Sequence, residues 1–270
     1  MALRAIPLDI LDDLSSRFIT NIPVENRKNW MHLFFQIELA YWFYLDVYYK
    51  DRRRKLNKCN MDELSVHLCR HIPFLRAHLP RVDIILKLLR QWREYKHRIP
   101  TVGAIMLNED MSKVLLVESF WRKNLWGFPK GKVNEDEHPA LCASREVLEE
   151  TGFDISLFIN KNHFIEHEIK NQLVRLYIIP GVKESTKFQT LTTNEIGNIK
   201  WFSLSNLPYT TMDMTPQVKM GIEPKNFFLV APFIREIKLW VKQQREEELS
   251  MIYRHILRKK IREEMALVTH

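Results

Sequence analysis

No glycine precedes Gly103 in this 270-residue chain, which favours helix over turn-rich β structure in the N-terminal region. Between residues 25 and 49, apolar side chains recur every three or four positions, the spacing of an amphipathic helix. Residues 61–72 and 80–98 have the pattern of two further helices. The sequence therefore predicts an all-α domain over residues 1–95.

The residue pattern changes at Pro100, where short β-branched and aliphatic runs replace the helical spacing. Strands are predicted over 102–107, 113–117, 164–169, 173–179 and 199–202, and helices over 139–150 and 227–266. We therefore expect an α+β chain with a linker at residues 96–100 and a second domain over 101–245. Residues 246–270 are dense in both charges, and we expect them to form a helical C-terminal extension.

Lysine and arginine outnumber the acidic residues by 41 to 33, which gives a formal net charge of +8 and favours a polyanionic partner. The three cysteines lack a metal-binding spacing and indicate a reducing compartment. No apolar run approaches the ~18 residues of a membrane span, and acidic residues follow the first apolar patch too closely for a secretory signal. We expect a cytosolic or nuclear protein with no membrane partner.

Three glutamates, Glu146, Glu149 and Glu150, lie at positions i, i+3 and i+4 of a predicted helix. These positions share one helix face, with Cβ atoms about 5–6 Å apart. Carboxylates at this distance repel one another unless cations neutralise them, and oxygen-only sites suit Mg²⁺ or Mn²⁺. Arg145 and Glu137 are expected to orient these ligands. Acidic helix faces are also common on protein surfaces, so the triplet alone leaves both interpretations open.

A longer pattern of spaced residues surrounds the triplet. It consists of Gly131, Glu137, Arg145, Glu146, Glu149, Glu150, Gly152 and the apolar Phe153. Gly131 permits a tight loop before the helix, and Gly152 suits a left-handed cap at its end. The spacing resembles the Nudix hydrolase signature, G-x5-E-x7-R-E-U-x-E-E-x-G-U, in which U is apolar.

The Nudix resemblance implies an α/β/α sandwich around a mixed sheet, and hydrolysis of a diphosphate linked to a further group. It also implies Mg²⁺ or Mn²⁺ as the cofactor, with Glu146, Glu149 and Glu150 as its ligands. Glu149 and Glu150 share the ligand and general-base roles in this interpretation. Which glutamate takes the proton stays open at this point.

Four further segments resemble the family of catalytic subunits of the eukaryotic mRNA-decapping complex. They are FQIELAYWFYLD (35–46), WGFPKGKV (126–133), NEIGNIKWF (194–202) and PKNFFLVAPFIR (224–235), and the resemblance covers about residues 8–243. It implies a helical regulatory domain before the Nudix domain, and cleavage of the 5′ cap of mRNA to 7-methyl-GDP and 5′-monophosphate RNA. It further implies an EVH1-type activator bound to the helical domain, other decapping enhancers, and a place in cytoplasmic processing bodies or the nucleus.

Trp42 and Asp46 gain a specific meaning from this resemblance, which implies that they bind the cap base. They lie at positions i and i+4 and share a helix face. Methylated guanine is cationic, and the tryptophan ring is the best aromatic face for a cation. A carboxylate accepts hydrogen bonds from the guanine edge. Without the resemblance, Trp42 would be interpreted as a core residue in an aromatic-rich helix.

Of the remaining site residues, Glu195, Lys219 and Lys225 are taken from the resemblance, whereas Lys130 and Lys132 are chosen because they flank Gly131. Glu195 matches a further family glutamate outside the signature, which approaches the metal site. Lys130 and Lys132 are expected to hold phosphate, and Lys219 and Lys225 to line the RNA path. Scattered lysines of this kind are equally typical of a solvated surface.

Two alternatives to cap hydrolysis remain. The first is a Nudix hydrolase of another diphosphate, such as a diphosphoinositol phosphate or a dinucleotide, and the helical domain with Trp42 and Asp46 argues against it. The second is a non-catalytic RNA-binding scaffold. The intact set of Glu146, Glu149 and Glu150 argues against a scaffold, because three mutually repelling carboxylates have no structural use there.

Overall fold

A computed structural model describes residues 6–51, 53, 56, 58–79 and 81–268, with side chains up to residue 259. The chain divides into two compact units, one ending at Arg98 and one beginning at Ile99. Pro80, the predicted start of a helix, and much of the basic run 50–58 lie outside the described residues.

The first unit is entirely helical in its described region. Its helices are α1 (Leu8–Phe18), α2 (Trp30–Phe43), α3 (Met61–His71), α4 (Pro73–His78) and α5 (Val82–Arg98), with a 3₁₀ turn at Val24–Lys28. The single helix predicted over 25–49 is wrong in its first turn. Asn29 is extended, and its side-chain oxygen accepts hydrogen bonds from the backbone of Met31 and His32, so a new helix begins there.

The second half of that predicted helix also departs from regular geometry. After α2 the chain continues through a π-helical turn over Tyr44–Tyr49. Tyr44 is buried on the inner side of this turn, while Trp42 and Asp46 are exposed. The core of the unit centres on Trp92, whose ring meets those of Phe34 and Phe35 with centroids 6.2 and 5.4 Å apart. The same helical segment therefore carries an exposed pair, Trp42 and Asp46, and side chains that pack in the buried core.

The second unit is built on a mixed β-sheet. Its strands are β1 (Thr101–Asn108), β2 (Lys113–Ser119), β3 (Trp126–Gly127), β4 (Lys130–Lys132), β5 (Phe164–Ile169), β6 (Gln172–Val182) and β7 (Ile196–Ser203). The main order is β3-β2-β1-β6-β5, with β4 beside β1 and β7 beside β2. Among the described strands, β1 and β6 pair in parallel and the other pairs are antiparallel. The five strands predicted from the sequence are all present.

Helices cover both faces of the sheet. α6 (Pro139–Thr151) packs over one face, where β1 contributes Val102, Ala104 and Met106. α8 (Ala231–Val268) packs over the other face, where β1 contributes Ile105 and Leu107. Side chains of a strand alternate between faces, so one strand serves both cores. The predicted α/β/α sandwich after an all-α region is therefore confirmed.

The ends of the second unit differ in detail from the predicted boundaries. α5 continues to Arg98, so the first three residues of the predicted linker 96–100 are helical. α8 runs without a break through Val268, so residues 246–268 prolong a helix that begins inside the domain. α7 (Thr215–Met220) lies between β7 and α8. No described helix has the length and apolarity needed to cross a membrane.

Candidate active site

Helix α6 carries the glutamate triplet and is held at both ends by local signals. His138 caps its start, where the imidazole accepts a hydrogen bond from Ala140 N at 3.2 Å. Gly152 ends it in a left-handed conformation with φ of +71°, as predicted from its position. A Cβ at this glycine would lie 2.5 Å from the Gln189 carbonyl oxygen, so glycine is required here on steric grounds as well.

Gly131 lets the loop before α6 approach the glutamates. A Cβ atom there would lie 1.9 Å from Glu146 Oε2, which is well inside contact distance. Gly103 on β1 has a similar function, because its Cβ would lie 2.0 Å from the Pro129 carbonyl oxygen. The sequence pattern pointed to Gly131 but contained no signal for Gly103, whose role depends on a contact between distant segments.

Arg145 organises the acidic side chains around it. Its guanidinium donates to both oxygens of Glu137 at 2.8 Å, to Glu146 Oε1 at 2.6 Å and to the Lys132 carbonyl at 3.1 Å. The hydrogen bonds from Arg145 lower the pKa of Glu137 to about 2. One arginine thereby joins α6, the signature loop and Glu146 into a single network, the contacts expected of an orienting residue.

Glu150 is the most perturbed carboxyl group of the site. Burial raises its pKa to about 8, against the opposing influence of Lys130, whose backbone N–H donates to Glu150 Oε2 at 3.1 Å. The charges of Glu146 and Glu195 raise it further. Burial also raises the pKa of Glu146, despite its pair with Arg145. Removal from water and repulsion between carboxylates therefore both raise the pKa values of Glu146 and Glu150.

Glu195 belongs to the same electrostatic group although it lies 45 positions after Glu150 in the chain. Its charge raises the pKa of both Glu146 and Glu150. Two backbone hydrogen bonds fasten the preceding segment to the end of α6, from Gln189 N to Thr151 O at 2.9 Å and from Leu191 N to Glu149 O at 2.8 Å. The structure thus brings Glu195 towards the glutamates of α6, and its role in the site stays a prediction.

The donor chemistry of this group fits a hard divalent cation. It offers only carboxylate oxygens, which are partly desolvated and carry more negative charge than Arg145 and Lys130 neutralise. Glu146 and Glu150 are the residues that would hold such an ion. Among the residues that the structure describes, no three His, Cys, Asp or Glu side chains form a ligand set as they stand. Glu146 is paired with Arg145 in this arrangement.

The four lysines proposed for phosphate and RNA lie in different surroundings. Lys130 and Lys132 are half-buried in β4, directly beside Gly131 and the glutamates. Lys219 is exposed in the last turn of α7, and Lys225 is exposed and paired with Glu223 at 2.5 Å. No contact found in the described residues joins Lys219 or Lys225 to the glutamates, so only Lys130 and Lys132 belong to this site by geometry.

Trp42 and Asp46 lie in the first unit, on α2 and on the π-helical turn that follows it. Trp42 is 45% exposed and touches Tyr41, with ring centroids 5.6 Å apart. Asp46 accepts from Lys50 Nζ at 2.6 Å on the same surface. The interpretation of Trp42 as a core residue is therefore wrong. An exposed ring face beside a carboxylate is available to a ligand, and its use for the cap stays a prediction.

Comparison with protein-family models identifies two domains in the chain. Residues 9–95 match the Dcp2, box A domain, and residues 97–219 match the NUDIX domain. The first match coincides with the helical unit, and the second contains α6 and its glutamates.

Curated relatives share both regions. The mRNA decapping complex subunit 2 of Schizosaccharomyces pombe is 41% identical over 239 residues, covering 87% of this chain and 30% of that protein. An m7GpppN-mRNA hydrolase of Caenorhabditis elegans is 36% identical (90% and 30% covered), and the mRNA-decapping enzyme subunit 2 of Arabidopsis thaliana is 37% identical (86% and 60% covered). The chain therefore spans 30–60% of the length of these relatives. Joining a Dcp2 box A domain to a Nudix domain, the chain belongs to the mRNA-decapping subunit 2 family.

Proposed function

We propose that the chain hydrolyses the 5′ cap of mRNA, releasing 7-methyl-GDP and a 5′-monophosphate RNA. The observation that carries the proposal is a group of glutamates in a chain of this family. Glu146 and Glu150 are partly desolvated, Arg145 holds Glu146, and the charge of the exposed Glu195 acts on both. Such a cluster has no stabilising role in the fold, because it concentrates like charges away from water. Its use is to receive a cation and a phosphorylated substrate.

Nudix hydrolases generally use divalent metal ions, and we propose Mg²⁺ or Mn²⁺ held by Glu146, Glu149 and Glu150. The bound ion supplies positive charge against the diphosphate oxygens. Lys130 and Lys132 bind these oxygens from the β4 side. Glu149, Glu150 and Glu195 are the candidates to take the proton of the attacking water. The raised pKa of Glu150 suits proton transfer near neutral pH.

Recognition of the cap base is assigned to Trp42 and Asp46. The exposed Trp42 ring offers its face to the cationic methylguanine, a contact worth about 0.5–2 kcal/mol. Asp46 accepts hydrogen bonds from the guanine edge in exchange for its pair with Lys50. The net charge of +8 supports binding of the RNA, and Lys219 and Lys225 remain proposed contacts along its path.

The partners and location follow from the same proposal. The helical unit would bind an EVH1-type activator, and further decapping enhancers would act on the complex. Because capped mRNA is the proposed substrate, we expect the protein in the cytoplasm, including processing bodies, and also in the nucleus. Copurification of the activator with residues 1–98 would test the assignment of this surface.

The decisive test uses RNA labelled in the cap phosphates, incubated with Mg²⁺ or Mn²⁺ and resolved by chromatography. Wild type should release labelled 7-methyl-GDP, Glu150→Gln should not, and Trp42→Ala should release it more slowly. RNA binding by Glu150→Gln without turnover separates an enzyme from a scaffold. Hydrolysis of diphosphoinositol phosphates or dinucleotides in place of capped RNA, even with activator present, would contradict the proposed substrate.

A further inference from the structure

The loop between β2 and β3 presents two aromatic side chains to solvent. Phe120 is 49% exposed and Trp121 is 67% exposed. Their rings meet edge to face, with centroids 5.4 Å apart. Single exposed aromatics are ordinary, but two consecutive ones that pack against each other present a broad apolar surface. Neither belongs to the core clusters described for the second unit.

This loop is held in one shape by its own backbone. Ser119 N donates to Leu125 O at 2.9 Å, and Leu125 N donates to Arg122 O at 3.1 Å. Asn124 adopts a left-handed conformation, with φ of +64°, and its N–H donates to Glu118 Oε1 at 2.5 Å. A surface already ordered before binding loses little conformational entropy when a ligand arrives.

The loop is also fastened to the candidate active site. Phe120 N donates to the Glu195 carbonyl oxygen at 2.9 Å, which joins the backbone of the aromatic pair to that of this glutamate. Gly197 lies against the same segment, since a Cβ there would be 3.4 Å from Phe120 Cα. A ligand that reaches Glu195 therefore passes within reach of the two rings.

Two cations complete the surface. Arg122 and Lys123 are exposed, and neither side chain makes a hydrogen bond or ion pair with any residue that the structure describes. Their charged groups are thus not engaged in an ion pair within the described part of the chain. Consecutive aromatic faces beside free cations are typical of sites for single-stranded nucleic acid, where bases stack on the rings and phosphates pair with the cations. Protein partners with acidic peptides would not need two adjoining ring faces.

We propose that Phe120, Trp121, Arg122 and Lys123 form a stacking platform for the RNA nucleotides that follow the cleaved diphosphate. The inference rests on the proposed function, since it takes RNA as the substrate that extends from Glu195. The rings stack on bases without reading their sequence, and the two cations bind the adjoining phosphates. The platform would hold the RNA body while the diphosphate lies at the glutamates.

Equilibrium binding of a short uncapped single-stranded RNA to the full chain tests the platform without any need for turnover. Trp121→Ala should weaken binding about tenfold, the range measured for loss of one stacked base. Trp121→Phe should restore most of the affinity, which shows that a ring is required rather than the fold. Arg122→Ala combined with Lys123→Ala should lower the slope of log affinity against log salt by about 1.4.

The matched control is Tyr253→Ala, which removes an aromatic ring that is 68% exposed near the C-terminal end of α8. It should bind RNA like wild type. A capped RNA carrying one 4-thiouridine near its 5′ end should crosslink to the peptide of residues 119–123 in the Glu150→Gln background. Wild-type affinity of Trp121→Ala, or crosslinks confined to other segments, would overturn the platform even if cap hydrolysis is confirmed. Weakened binding by Trp121→Ala supports it even if the cap is not the substrate.

Discussion

Helix α6 and the α2 helix with its π-helical turn carry the residues on which the proposed function depends, and they present them in opposite ways. On α6, Glu146 and Glu150 are partly desolvated and joined to Arg145 and the signature loop. On the other helix, Trp42 and Asp46 stand in solvent, with one ion pair to Lys50. A carboxylate cluster must be organised by its own protein before a cation arrives. A ring face needs only to be left uncovered.

This difference has an energetic side. The cluster on α6 opposes folding while no cation is bound, because burial and repulsion act on charged groups. The exposed Trp42 imposes no such penalty. Substitutions in the two regions should therefore differ in kind: changes on α6 should alter catalysis and stability together, whereas changes at Trp42 should alter recognition alone.

The largest effect is expected for Glu150→Gln. The substitution keeps the shape of the side chain but removes a proposed metal ligand and candidate base, so kcat for cap hydrolysis should fall by about 10²–10⁴-fold. Glu135→Gln is the matched control, because Glu135 lies in the same signature region but is exposed and contacts none of the described site residues. Equal activity of Glu150→Gln and Glu135→Gln would show that Glu150 has no role in the reaction. It would also contradict the assignment of catalysis to α6 and recognition to the helix with Trp42.

The same residue should also make the metal-free protein less stable as pH rises. The pKa of Glu150 is about 8 in the folded chain, against 4.5 for an unperturbed group. Between these values the folded state keeps a proton that the unfolded state releases, so the free energy of unfolding should fall, on the order of 3 kcal/mol from about pH 5 to about pH 8. Urea unfolding in the presence of a metal chelator measures this dependence of the free energy of unfolding on pH. Glu150→Gln should flatten this slope, whereas Glu135→Gln should keep it.

The third expected effect concerns the loop that faces Glu146. Gly131→Ala would place a Cβ 1.9 Å from Glu146 Oε2. Because the carboxyl end of a side chain can swing away, the chain should still fold, but Glu146 should be displaced and activity or metal affinity should fall about 10–100-fold. Gly127→Ala is the control, since its nearest neighbour would be Leu229 Cδ1 at 3.8 Å. Similar losses of activity or metal affinity in Gly131→Ala and Gly127→Ala would mean that both substitutions disturb the loop itself rather than the position of Glu146.

The sequence predicted the features whose cause is local. The strands follow from β-branched runs, and the end of α6 follows from Gly152, which adopts the left-handed conformation expected of it. The spacing from Gly131 to Phe153 predicted which acidic residues would share a face. Family resemblance was needed for Glu195, because its approach depends on hydrogen bonds between segments far apart in the chain.

Other features lay beyond sequence reasoning for physical reasons. α2 is apolar on most of its sides, so periodicity alone does not show which aromatic ring faces water, and Trp42 was ambiguous for that reason. The break at Asn29 was missed because one capping residue interrupts a continuous apolar pattern. The Phe120–Trp121 loop has no periodic signal, and its meaning depends on its hydrogen bond to Glu195.

The smallest expected effect is at Trp42, and it sharpens the comparison most. Trp42→Ala should reduce kcat/KM for methyl-capped RNA by about 2–30-fold, the value of one cation–π contact, with the free energy of unfolding unchanged. The loss should be confined to the methylated cap, because an unmethylated guanosine cap lacks the positive charge that the ring attracts. Tyr95→Ala is the control in the same unit, since Tyr95 is 49% exposed against 45% for Trp42. If Trp42→Ala lowers kcat/KM equally for the methylated and the unmethylated cap, the ring contributes contact area rather than charge recognition. If it weakens neither, the exposed face serves another ligand, and the two helices would no longer share one reaction.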